Sequence, residues 1–200
     1  MNFRKLVQRH RGLIPFMTLI ILVLLVGINA PVFLTVGSIL TTMTDTATLF
    51  IMAAGITFVI MLGGIDLSGQ STVALASIVC SMSVVHWGYA AIPLAILTGM
   101  VVGLISGLVH VHFKLPSFIA TLAVGSVAAS AALLLSGERS VPISAENRDT
   151  YFFWIVGETL GIPNQIIVGF VVLLVSLCIE RFTKFGYWSR AVGSGEPAAL

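Results

Sequence analysis

LIPFMTLIILVLLVGINA, Leu13–Ala30, sets the solvent in which this chain folds. From Leu13 to Asn29 it holds twelve Leu, Ile, Phe or Val residues and no charge. Each such residue favours the centre of a bilayer helix by about 0.3–0.6 kcal/mol, so the run inserts with roughly −4 to −7 kcal/mol. A basic lead, MNFRKLVQRHRG, precedes it. A secretory signal has the same order of parts. Here the apolar run is too long for a signal core, and Ile28 sits where a cleavage site after Ala30 needs a small residue. The run reads as a retained membrane helix.

The same character extends outward. The chain has 200 residues, 58% apolar, with ten Lys/Arg and eight Asp/Glu, so 9% are charged. A soluble domain carries about 25%. Between Gly12 and Phe113 only Asp45 and Asp66 are charged. That excludes a disordered chain and nearly every water-soluble fold. The net charge of +2 does not indicate nucleic acid, because the basic residues fall in short clusters between apolar runs. Cys80 and Cys178 lie inside apolar runs without metal-ligand spacing, and read as small apolar residues.

Six stretches approach the length of about 20 residues that a span requires. They are Gly12–Ala30, Thr46–Leu62, Ser71–Trp87, Ile92–His112, Ser117–Leu135 and Asn164–Ile179. Helices are expected, because an open sheet edge leaves backbone groups unpaired in hydrocarbon. The apolar/polar alternation of a membrane barrel is missing from IILVLLV and IIVGFVVLLV. The semi-polar Val32–Thr44 reads as a short helix lying in the interface. The fold class is therefore all-α, a polytopic bundle of about six transmembrane helices.

Orientation follows from Lys and Arg. With the N-terminus inside, the inner segments hold Arg4, Lys5, Arg9, Arg11, Lys114, Arg181, Lys184 and Arg190, and the outer ones only Arg139 and Arg148. This is a positive-inside bias, and six crossings return the C-terminus to the same side. The outer loop 136–163 carries Glu138, Arg139, Glu146, Arg148, Asp149 and Glu158 beside Tyr151, Phe152, Phe153 and Trp154. It reads as a solvated loop with a short interfacial helix, or as a docking face for an extracytoplasmic protein. Gly99, Gly103 and Gly107 form a tandem GxxxG, which reads as a helix-packing surface.

Signals for catalysis are missing. The sequence has no GxxxxGK[ST], HExxH or GxSxG. His110 and His112 point to nearly opposite sides of a helix and read as boundary residues, as does His86. No catalytic residue and no metal site are expected. The richest stretch lies between two spans, at Leu62–Ser71 (LGGIDLSGQS). A carboxylate at bilayer depth costs at least about 2.5–3.5 kcal/mol, so Asp66 needs partners or water. One reading ends a helix at Gly63-Gly64 and has Asp66 cap the next by accepting N–H groups near Ser68 and Gly69. The other makes Gly63, Gly64, Asp66 and Ser68 a broken helix whose freed backbone groups line a polar pathway. The two are compatible.

From GGIDLSGQSTVALASIV, Gly63–Val79, the chain resembles the permeases of bacterial ABC importers for simple sugars, of the ribose/xylose/galactofuranose type. That family often continues with Val-Gly-Ser where Gly69-Gln70-Ser71 stands here. The stretch Lys114–Leu122 (KLPSFIATL) is similar to the family's Pro-x-Phe-Ile-Ala-Thr-Leu helix entry. The residues from Phe185-Gly186 through Gly193, Gly195, Glu196, Ala198 and Ala199 resemble its cytoplasmic ATPase-contact segment. The likeness runs from about Pro31 to Leu200.

The resemblance implies a permease in the bacterial inner membrane, paired with a second permease copy, identical or not. Two cytoplasmic ATPase subunits would bind ATP and Mg, so no cofactor and no enzymatic activity are expected of this chain. A periplasmic binding protein would deliver the sugar. Gly186, Gly193, Glu196, Ala198 and Ala199, in the segment 180–200, would contact the ATPase. Family members are commonly longer, with further helices after this segment, so the chain reads as a fragment. Two other readings stand beside it: an ion-coupled transporter or channel using Asp66, and a membrane protein that transports nothing.

Overall fold

Threonine decides where the second helix begins. In the computed structural model, which describes residues 13–193, the hydroxyls of Thr41, Thr42, Thr44 and Thr46 each donate to the backbone carbonyl four residues earlier, at 2.7–3.0 Å. Their polarity is met inside the helix, so the segment needs no water. The expected interfacial helix over Val32–Thr44 is accordingly corrected. A 3-10 turn at Pro31–Leu34 leads into one continuous helix from Val36 to Met61.

The described helices are α1 (Leu13–Asn29), α2 (Val36–Met61), α3 (Gly69–Trp87), α4 (Ala91–Phe113), α5 (Ser117–Ser136), the short α6 (Ala145–Tyr151) and α7 (Phe153–Val156), α8 (Asn164–Phe182) and α9 (Lys184–Gly193). A two-residue antiparallel hairpin, β1 (Glu158–Thr159) with β2 (Ile162–Pro163), precedes α8. The chain is all-α in character and polytopic. Among the described residues four continuous helical stretches are long and apolar enough to cross a membrane: Val36–Met61, Gly69–Phe113, Ser117–Ser136 and Asn164–Phe182. The second of these holds both α3 and α4, joined by a 3-10 turn at Gly88–Ala90 and packed on each other. Helix α1 is shorter, at 17 residues.

Two compact units divide the chain, Met1–Thr46 and Ala47–Leu200. In the first, Leu34 folds back over α1 and fills the space beside Gly27. In the second, α3, α4 and α5 pack mutually. Small side chains dominate the buried positions of this unit: Ala47, Ala91, Ala120, Ala128, Ala132, Ser68, Ser106 and Thr121. Large ones face outward, such as Leu134 and Val127. This inversion of a soluble core follows from the solvent. Lipid is as apolar as leucine, so helices associate through close backbone approach rather than by hiding large side chains.

Contacts in the second unit collect at two ends of its helices. At one end the Gly88 turn meets α6. Tyr89 sets its ring edge-on to Tyr151, with centroids 5.0 Å apart, and donates its hydroxyl to the Thr150 carbonyl at 3.1 Å. At the other end lie the α2–α3 junction, the start of α5, and α9. There His110 Nδ1 meets the Leu115 carbonyl at 2.5 Å across the α4–α5 turn, where Lys114 takes a left-handed conformation.

Candidate functional site

Helix α2 stops because Gly63 takes φ +81, a conformation that costs other L-residues about 1–2 kcal/mol. Its N–H and that of Gly64 still bond back to the Ile60 and Val59 carbonyls, at 2.9 and 3.0 Å. From Gly64 to Asp66 the backbone is neither helix nor sheet, and α3 does not start until Gly69. Backbone without regular partners survives at membrane depth only where protein or a cavity satisfies it.

Helix α5 supplies those partners. The Ser117 hydroxyl accepts the Ile65 N–H at 2.9 Å. One turn on, the Thr121 hydroxyl accepts the Leu67 N–H at 3.1 Å and can donate to the Ile65 or Phe118 carbonyl, each at 3.3 Å. The two hydroxyls thus stand in for a neighbouring strand. A further turn along, Gly125 lets the segment lie flat. A methyl there would sit 3.1 Å from Ser68 Cα and 3.3 Å from its Cβ. Ser117, Thr121 and Gly125 form one stripe at i, i+4, i+8, continued by the buried Ala128 and Ala132.

Asp66 organises the end of the break. Its Oδ1 accepts both the Ser68 N–H at 2.8 Å and the Ser68 hydroxyl at 2.7 Å. Ser68 is buried, and its carbonyl accepts the Thr72 N–H and hydroxyl, both at 2.9 Å. One carboxylate oxygen is therefore committed to turning the chain into α3. The amides of Ile65 and Leu67, which an open polar pathway would leave free, are held by α5.

Helix α9 reaches the same place from the other side. It follows α8 after a turn in which the Thr183 hydroxyl donates to the Ile179 carbonyl at 2.5 Å. Gly186, buried, lies so close to the Glu180 backbone that a methyl group would overlap it. Arg190 forms an ion pair with Glu180. Both partners are partly exposed, so the pair fixes direction more than stability, at about 0–1 kcal/mol. Phe185 packs on Phe58 of α2 with centroids 5.7 Å apart. Gly193 abuts the end of α2, where a methyl would overlap the Met61 carbonyl and come within 3.6 Å of the Gly63 nitrogen.

The structure thus holds Gly63, Gly64, Asp66 and Ser68 on one short segment and sets Gly193 beside Gly63, while Gly186 sits at the α8–α9 elbow. Glu196, Ala198 and Ala199 lie outside the described residues. The three glycines of the tandem GxxxG have different surroundings within the chain. Gly99 lies 3.6 Å from Thr72 of α3, measured from the place a Cβ would take, whereas Gly103 and Gly107 have nothing within 4 Å. The packed face of α4 is instead Val102 and Ser106. Sequence reading missed Ser117, Thr121 and Gly125 as site residues. Their four-residue spacing at the start of α5 is the signal that could have found them.

Residues 38–199 match the family model described as "Branched-chain amino acid transport system / permease component". The ribose import permease protein RbsC of Haemophilus influenzae is 33% identical over 186 residues, covering 92% of this chain and 58% of that protein. RbsC of Bacillus subtilis is 36% identical over 188 residues, covering 93% and 58%. RbsC of Escherichia coli K12 is 28% identical over 190 residues, covering 90% and 57%. The chain therefore spans a little under three fifths of the length of these relatives. No solved structure matches. With more than three quarters of its length matched, from Ser38 to Ala199, the chain belongs to this family of transport-system permease components.

Proposed function

We propose that this chain is the membrane-spanning permease of an ATP-driven importer that carries a simple sugar across a bacterial inner membrane. It crosses six times, through α1, α2, α3, α4, α5 and α8, with both ends in the cytoplasm. The distribution of charge supports this orientation: Lys114, Arg181, Lys184 and Arg190 lie toward the end that holds α9, and Arg139 and Arg148 lie in the loop 136–163. The named relatives support a sugar as cargo, since each is a ribose import permease.

The observation that carries the mechanism is the meeting of α9 with the helix break. A cytoplasmic ATPase that binds ATP and Mg pushes on α9. Gly193 passes the displacement to Met61 and Gly63, and Phe185 passes it to Phe58. The segment Gly63–Ser68 then slides or tilts against the Ser117–Thr121 stripe and changes access from one side to the other. A second permease copy completes the channel, and a periplasmic sugar-binding protein docks on the loop 136–163. No step in this chain is enzymatic; it supplies the path and the lever.

The test is uptake of labelled ribose into proteoliposomes holding the full-length protein together with a cognate ATPase and a ribose-binding protein. Import that needs ATP and the binding protein agrees with the proposal. Import that proceeds without ATP and collapses with the ion gradient contradicts it and favours ion coupling at Asp66.

A further inference from the structure

Helix α2 carries an acid at bilayer depth. It starts at Val36 rather than at the expected Thr46, so Asp45 lies within the span. At about 1.5 Å of rise per residue, Asp45 sits about 5 Å from the middle of the helix and about 13 Å from its Val36 end. A hydrocarbon core of about 30 Å therefore encloses it. Lysine and arginine reach the boundary from such a depth by snorkelling, but aspartate has a single methylene and does not. A carboxylate that stays there needs water or a polar partner.

Asp45 is exposed, and among the described residues it makes no hydrogen bond and no ion pair. The hydroxyls around it are already committed. Those of Thr41, Thr42, Thr44 and Thr46 donate to carbonyls of their own helix, at 2.7–3.0 Å. The Lys and Arg residues of the chain stand at or beyond the ends of the six long helices, away from this depth.

Its direction follows from its neighbours on the helix. Ala47 is buried and abuts Gly169 of α8, and Asp45 points about 200° away from that contact. Met52 and Ile56 return to within about 20° of Asp45. Their side chains end 3.8 and 3.6 Å from the place a Cβ on Gly69 would take, at the head of α3. Val59, on the same side of α2, comes within 3.1 Å of the corresponding place on Gly64. The side of α2 that covers the break near one end thus carries the acid further along.

We propose that Asp45 lines a water-filled part of the transport path and acts there as a charge filter. The importer reading enters only in taking α2 to border a path. The carboxylate accepts hydrogen bonds and donates none, so water and hydroxyl-bearing cargo satisfy it. Low-dielectric walls concentrate its field across a narrow passage, drawing in cations and turning away anions. A neutral solute passes, whereas its phosphorylated or carboxylate-bearing forms are repelled. Asp45 is then a specificity-determining residue that selects by charge, against the wrong solute as much as for the right one.

The experiment uses the full-length protein in lipid nanodiscs, with Cys80 and Cys178 replaced by Ala. Thr48 is exposed, one turn from Asp45 on the same side of α2, and Thr48→Cys places a thiol there. Two membrane-impermeant methanethiosulfonates, one bearing trimethylammonium and one sulfonate, are offered to it, and mass spectrometry gives both rates. A thiol facing lipid does not react with either, so labelling at position 48 reports water. At low ionic strength the cation-to-anion rate ratio is expected to be about tenfold higher with Asp45 than with Asp45→Asn, as for a unit charge about 6 Å away across water. Disturbed packing would change both rates together and leave the ratio alone. Absence of labelling by both reagents, or the same ratio in the two proteins, overturns the filter. ATP-driven ribose uptake, measured with a cognate ATPase and a ribose-binding protein, separates the two ideas. Uptake without labelling at position 48 removes this inference alone. Labelling with the charge-dependent ratio but without uptake removes the importer reading and leaves the water-lined acid standing.

Discussion

Thr121 carries more of the break than its size suggests. Its hydroxyl is the acceptor for the Leu67 amide and a donor to the carbonyl side of the same segment. Interhelical side-chain hydrogen bonds in membranes average only about 0.6 kcal/mol, because a released group usually finds another partner. A backbone amide in a non-helical segment has no helix to return to, so its loss falls nearer the cost of about 1–3 kcal/mol for an unmet buried group. Thr121→Val is therefore expected to lower stability by about 1–3 kcal/mol. Thermal unfolding in nanodiscs checks this, with Thr121→Ser close to wild type. At Gly63 the term is conformational, since nothing lies within 4 Å of a would-be Cβ. Gly63→Ala is expected to cost about 1–2 kcal/mol and Gly63→Asn clearly less, because Asn tolerates the left-handed region. Equal losses for the two in the same melt would show that something other than φ is at work. The glycine pair and Asp66 were legible in the sequence because they interrupt an apolar run. Ser117 and Thr121 were not, because their partners lie more than fifty residues away and no local pattern announces a pairing of loop to helix.

At the level of elements, α2 shows where pattern reading fails and α4 where it stops short. The threonines of α2 look polar in a hydropathy sum, yet each spends its hydroxyl on its own helix, which moved the start of α2 from the expected Thr46 to Val36. In α4, the face turned to α3 and α5 carries Val102 and Ser106, and which face that would be is a tertiary fact that glycine spacing does not reveal. The four other long helices were legible, because their apolar runs end at Pro, Gly or charge. Helix α9 gives the element-scale prediction. A methyl at Gly193 collides with the end of α2, so Gly193→Ala displaces α9 from the break. In the reconstituted transporter this variant is expected to keep ATP hydrolysis while lowering sugar imported per ATP severalfold. An unchanged ratio of transport to hydrolysis would remove Gly193 from the coupling route.

Over the whole molecule, one physical cause explains both the exposed leucines and the buried alanines: lipid replaces water as solvent. The overall class was legible from composition alone, whereas the contacts that place α9 beside the break required coordinates. The proposed orientation makes its own prediction. Leu160, at the tip of the β1–β2 hairpin, is 98% exposed. With Cys80 and Cys178 replaced by Ala, Leu160→Cys in intact spheroplasts is expected to react with a membrane-impermeant maleimide, and Lys184→Cys only after permeabilisation. The reverse pattern would invert the topology and separate α9 from any cytoplasmic motor. The central claim, that the segment Gly63–Ser68 held by α5 is a working part of the import path, is tested most directly by the initial rate of ATP-driven ribose uptake. Rates of Thr121→Ser and Thr121→Val are compared in the full-length transporter at equal amounts of inserted protein. Thr121→Ser is predicted to import at close to the wild-type rate and Thr121→Val about tenfold slower, the effect of about 1.4 kcal/mol. Wild-type import by Thr121→Val would contradict the account.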